Sequence, residues 1–172
     1  MATTIDNGAA RPRPLGLAPT RVERVLAWLS AAMLLVVCTA LGRGLAAWNS
    51  LPAIVWFHIG TMLLALALTP IILLRRRGDL WHRRLGYVWV GALVTTSVAT
   101  FWVRISHPGH LGPIHILSVF TLVQVPRAIL AARRHDIAAH RRSITLLVSG
   151  ALLIAGFFTF LPSRLLGHWL LS

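Results

Sequence analysis

The sequence predicts an all-α integral membrane protein with five transmembrane helices. Four of them form a core built from a duplicated helical hairpin, and the fifth is an N-terminal addition. Three observations carry this prediction. Of 172 residues, 56% are hydrophobic and only 12% charged, about half the charged share of a soluble domain. Five apolar stretches reach or approach the roughly 20 residues that a helix needs to cross a hydrocarbon core. All seventeen basic residues are arginine, and most stand in short clusters between those stretches. The same composition excludes disorder, and Cys38 as the sole cysteine excludes a disulfide scaffold. A net charge of +13 would suit nucleic acid, but placed between apolar runs it is loop charge, and no nucleic-acid partner is expected. With only Asp6, Glu23, Asp79 and Asp136 to oppose it, the expected counterions are anionic lipid headgroups.

Residues 1–24, rich in Pro, Gly and Ala up to position 20, are expected to form a flexible cytoplasmic tail. The first span runs Val25–Trp48. Arg21 and Arg24 before an apolar run also suit a signal peptide, but Arg43 interrupts its small-residue region and the preceding tail is long, which favours an uncleaved span. Residues 49–172 then hold the core, with spans Leu51–Leu74, Leu85–Val103, Ile114–Leu130 and Ile144–Leu166. Arginine clusters precede span 1 and lie between spans 2 and 3 (Arg75, Arg76, Arg77, Arg83, Arg84) and between spans 4 and 5 (Arg133, Arg134, Arg141, Arg142). The positive-inside rule therefore expects a multi-pass protein of a bacterial inner membrane, N-terminus cytoplasmic and C-terminus outside. Trp28, Trp48, Trp81, Trp102 and Trp169 fall near span ends, as an interfacial belt requires.

The core is a repeat. HIGTMLLALALTPIILLRRRGDLWHRR from His58 matches HILSVFTLVQVPRAILAARRHDIAAHRR from His115 in the order His, Pro, Asp, His (Pro70 and Pro126; Asp79 and Asp136; His82 and His140). The match continues from Gly91 to Gly150 at offsets of 56 to 59 residues. Such a parallel repeat has a pseudo-twofold axis along the membrane normal. His58 and His115 then pair toward the outer face, and His82 and His140 toward the cytoplasmic face. Between those levels, His58 to Arg75 is 17 residues, about 25 Å of helix. Asp79 and Asp136 suit helix N-caps, Pro70 and Pro126 would kink or locally unwind their spans, and Gly91 and Gly150 would let helices approach closely.

Paired imidazoles on facing helices suit axial ligation of iron, so His58, His115, His82 and His140 are the candidate cofactor ligands, for one or two b-type haems. Helix-end packing and lipid contact are their bland alternatives. Arg104 and Arg127 are candidates to neutralise a haem propionate or an anionic substrate, or to snorkel to headgroups. His107, His110 and His115 in SHPGHLGPIH offer an outer-face zinc or copper site instead. No phosphate loop, dinucleotide fingerprint or Ser-His-acid set is present, and five short spans leave little room for a transporter's two gated halves.

Through His-Ile at His58, HRRLGYVWV at His82, PIHILS at His115, DIAAHRR at His140 and the closing ALLIAGFFTFLPSR, residues 55–166 resemble the bacterial membrane-protein family called domain of unknown function 2306. The chain departs from it at Ser163, where relatives often carry glycine, and at Ile144, where methionine is common. The resemblance implies a helical membrane fold and brings no activity with it. By placement of histidines on helices, the chain is also similar to the cytochrome b-561 type of transmembrane oxidoreductase, in which helices two and four hold one haem and helices three and five another. The histidines here are 24 or 25 residues apart within a hairpin, nearer the surfaces than that comparison implies. The expected function is transmembrane electron transfer through b-type haem, with a quinol or other redox partner. The alternatives are a non-catalytic accessory or assembly subunit of a larger membrane complex, and the outer zinc or copper protein.

Overall fold

The computed structural model describes residues 17–101 and 113–171, and among these no strand occurs. Helix α1, Arg21–Arg43, starts at a capping box: Glu23 N–H donates to Thr20 Oγ1 at 3.3 Å, and Thr20 N–H donates to Glu23 Oε2 at 2.8 Å. The helix thus begins inside the stretch expected to be tail. It also stops short of Trp48, because Gly44 closes it and Leu45–Ser50 continue as a 3₁₀ helix.

Helix α2, Ala53–Leu74, and helix α3, Leu80–Thr100, make the first hairpin. Helix α4, Pro113–Arg133, and helix α5, Ile137–Phe158, make the second. Both α2 and α4 continue past their prolines, so neither unwinds there. The two connecting turns share a backbone. Gly78 has φ +83° and His135 φ +57°, and each precedes an aspartate that caps the next helix. Asp79 accepts from His82 N–H and Asp136 from Ala139 N–H. A glycine suits the left-handed position, whereas His135 holds it at some conformational cost.

The second hairpin also differs from the first within its last helix. Residues Leu147–Ile154 of α5 form a π-helical segment. The repeat offset is 58 residues at His82 and His140 but 59 at Gly91 and Gly150, so the second copy has gained one residue in that interval. An extra residue would turn the rest of an α-helix by about 100°, and a π segment absorbs it within wider turns. The last span is therefore Ile137–Phe158 and starts earlier than Ile144; Leu165–Leu171 form a separate helix, α6.

Among the described residues four helices are long and apolar enough to cross a membrane: α1, α2, His115–Arg133 of α4, and α5. The expected fifth, α3, has the length (21 residues) but is not among them. Arg83 and Arg84 stand in its first turns, and Thr95, Thr96, Ser97 and Thr100 dilute its other half.

In space α2, α3, α4 and α5 follow one another around a bundle, and α1 packs on α2 and the π segment. Leu66, Leu73, Leu93, Ala128, Leu147 and Leu152 lie in its core. Between α2 and α3, the buried Trp89 indole donates to Thr69 Oγ1 at 2.9 Å. Large apolar side chains such as Trp28, Leu35, Ile116 and Phe157 point outward, as a lipid-facing surface requires. Trp169 does not join that belt: it is buried on α6 against Gly44, where an added Cβ would overlap the indole. Nor do the repeated glycines serve close packing. Gly91 has nothing within 4 Å of a Cβ position, and Gly150 meets only Phe120 at ordinary contact distance.

Candidate functional site

At the arginine-rich end of the bundle, between the two hairpins, lies a cavity of about 550 Å³. Each hairpin contributes matching positions to its wall. Ile72 and Leu73 come from the end of α2 and Ala128 and Ile129 from α4; His82 comes from the start of α3 and His140 from the start of α5. Trp89, Ile144 and Val148 close the deep side, while Arg77, Arg83 and Arg133 also line it. Ligand pockets commonly enclose roughly 300–1,000 Å³, so the space suits a molecule of cofactor size.

The capping aspartates set His82 and His140 in the first turns of their helices, where both rings face the cavity. Their centroids are 6.4 Å apart, with the planes inclined by 71°. His140 Nδ1 lies 3.0 Å from the Ala128 carbonyl oxygen. A carbonyl only accepts, so Nδ1 carries the proton and Nε2 keeps the lone pair. Ile72, two residues beyond Pro70 as Ala128 is two beyond Pro126, lines the same cavity as His82. The His82 Nδ1 is buried with no hydrogen-bond partner. His140 is therefore oriented by a backbone carbonyl, the arrangement that fixes tautomer and ring in metal-ligating histidines.

Two metal–nitrogen bonds of about 2 Å, with each ring centre roughly 1.1 Å behind its nitrogen, would need about 6.2 Å between centroids, close to the separation of these two rings. Among the described residues no group of three or more His, Cys, Asp or Glu is placed to hold a metal ion. The inner pair offers two nitrogen donors, the number a bis-histidine haem needs and too few for a structural zinc site.

Beside the cavity sits a charge cluster that the sequence reading passed over. Glu23 of α1 is 2% exposed. It pairs with Arg77 Nη2 from the first turn and lies 3.8 Å from Arg141 Nε on α5. Burial pushes the Arg77 guanidinium below its usual value, and the Glu23 charge opposes that. The chain entering α1 is tied to the same arginines: Arg77 N–H donates to the Leu17 carbonyl at 3.2 Å and Arg141 Nη2 to the Ala18 carbonyl at 2.8 Å. The capping box, Thr20-x-x-Glu23, was the signal that could have placed Glu23.

The other candidates lie elsewhere. His115 is buried beside the Phe101 ring, at 5.5 Å between centroids, and His58 is half-buried on α2 with its Nδ1 enclosed and unbonded. Arg127 is exposed on α4 and does not line the cavity; the arginines that do are Arg77, Arg83 and Arg133. Arg104, His107, His110 and Trp102 lie outside the described residues.

Among known proteins, a family model described as "Predicted membrane protein (DUF2306)" matches residues 55–166, which hold all four helices of the bundle core. No curated protein and no solved structure matches the chain.

Proposed function

The chain belongs to the DUF2306 family of predicted membrane proteins, and within that multi-pass frame we propose a b-type haem protein that passes single electrons. The haem lies between His82 and His140, one from each hairpin. The observation that carries this reading is the pair of rings 6.4 Å apart on the wall of an apolar cavity of about 550 Å³. The likeness to cytochrome b-561 type oxidoreductases rests on helix placement alone, and the proposal is confined to the inner pair, whose rings line a common cavity.

Haem would supply the one-electron chemistry, and the chain sets everything around it. His82 and His140 would supply the ligand nitrogens, and the Ala128 carbonyl holds the His140 ring so that Nε2 keeps its lone pair. Trp89, Ile144 and Val148 keep the deep wall apolar and exclude water, and a dry wall raises the cost of added charge at the centre. The arginine-rich end faces the cytoplasm of a bacterial inner membrane in this reading, with a quinol or a cytoplasmic donor on that side.

The test is a spectrum. Protein purified in mild detergent with haem supplied should give a b-type signal in the dithionite-reduced minus oxidised difference, at about one haem per chain. His82→Ala and His140→Ala should each lose it, and His58→Ala should keep it. A folded but colourless protein would sink the proposal. The His140–Ala128 bond would then stand as a tie within the second hairpin, in an accessory subunit of a larger complex.

A further inference from the structure

The cavity contains a cation that the paired imidazoles do not use. Arg77 is 9% exposed and lines the cavity. Its Nη2 pairs with Glu23, while its Nη1 is buried with no hydrogen-bond partner. A buried guanidinium N–H without an acceptor is uncommon and calls for one from outside the chain. Arg83 and Arg133, both exposed, line the same space. The acid there, Asp136, spends an oxygen on the Ala139 N–H at the start of α5. The cavity wall thus joins an apolar interior to an excess of guanidinium, the complement of a molecule with an apolar body and an acidic end.

We propose that Arg77 Nη1, backed by Arg83 and Arg133, receives the carboxylate of an apolar-bodied acid seated in the cavity. Glu23 is the positioning residue: by holding Nη2 it fixes the guanidinium at the cavity wall. The inference rests on the cavity being a ligand site, and it deepens the haem reading by giving a propionate its partner. The same chemistry would hold a fatty-acid carboxylate, so the experiment separates the two sources.

The full chain in neutral detergent is titrated with haemin and with haemin dimethyl ester, whose propionates are blocked, following the visible spectrum. Wild type should bind haemin about tenfold more tightly than the ester. Arg77→Gln should shrink that preference to less than about threefold and leave ester affinity unchanged, and Arg77→Lys should keep part of it. Equal affinity of wild type for both porphyrins, or equal loss of both in Arg77→Gln, overturns the proposal and leaves the haem reading standing. If neither porphyrin binds, the haem reading falls and the fatty-acid arm decides. Oleate should then raise the melting temperature of wild type above the effect of oleyl alcohol, and Arg77→Gln should erase the difference; absence of that contrast overturns the carboxylate site. Should Arg77→Gln fold poorly beside an unopposed Glu23, the Glu23→Gln/Arg77→Gln pair removes both charges and is measured in its place.

Discussion

Glu23 sits where α1 meets the duplicated core, holding Arg77 of one hairpin and standing near Arg141 of the other. Removing one member of a buried ion pair costs more than the pair contributes, because the remaining charge stays desolvated. Glu23→Gln preserves the capping box but leaves both arginines without that carboxylate, and should destabilise the protein by about 3 kcal/mol in thermal unfolding. Arg77→Gln in the same background should recover part of the loss, and additive losses would exclude the coupling. The histidines show what a sequence conveys at this scale. The rise of a helix gives the depth of a residue, so both pairs could be placed at opposite ends from spacing alone. Which residues face each other depends on helix rotation, and that is set by packing no residue spacing records. His140 is held in place by a carbonyl of its own hairpin, that of Ala128.

Among the elements, the repeat was legible because four chemically distinct residues recur in order, and the backbone repeats with it: a left-handed residue, then a capping aspartate. The extra residue was visible too, as an offset rising from 58 to 59, but not the π segment that houses it, since an insertion can equally be expelled into a loop. Deleting Ser149 should let α5 run as a plain α-helix, with the melting temperature changed by less than about 3 °C. Deleting Val90, at the comparable place in α3, should rotate the far half of that helix and unfold the bundle. A larger loss on deleting Ser149 than Val90 would refute the insertion account. The cap of α3 has its own signature. The His82 N–H and then Arg75 hold the Asp79 carboxyl below its usual range. A depressed carboxyl stabilises the fold above its unfolded value of about 3.9 and ceases to do so as pH falls through the folded value. The melting temperature should therefore drop below about pH 4, and Asp79→Asn, which keeps an acceptor, should show a smaller drop.

For the whole molecule the open quantity is parity. Among the described residues four helices have the length and apolarity to span, and α3 has the length without the apolarity. If α3 crosses with its neighbours, the termini fall on opposite sides, whereas four crossings return them to the same side. A reporter active only outside the cytoplasm, fused after Ser172, should be active, while the same reporter ahead of residue 17 should be silent. Activity at both ends or at neither would remove α3 from the spans. The membrane class was plain from composition, because a span imposes its length on the sequence whatever it packs against. The cavity was not, because it is the space two copies leave between them. That origin has a further meaning. Each copy brings one imidazole and half a wall, so a chain of a single hairpin could complete the chamber only by meeting a twin at random in the bilayer. Joining the copies in one polypeptide turns that encounter into a tethered one, at a millimolar-scale effective concentration set by the linker rather than by expression level. It also frees the halves to diverge, and here one turn holds its left-handed position with Gly78 and the other with His135.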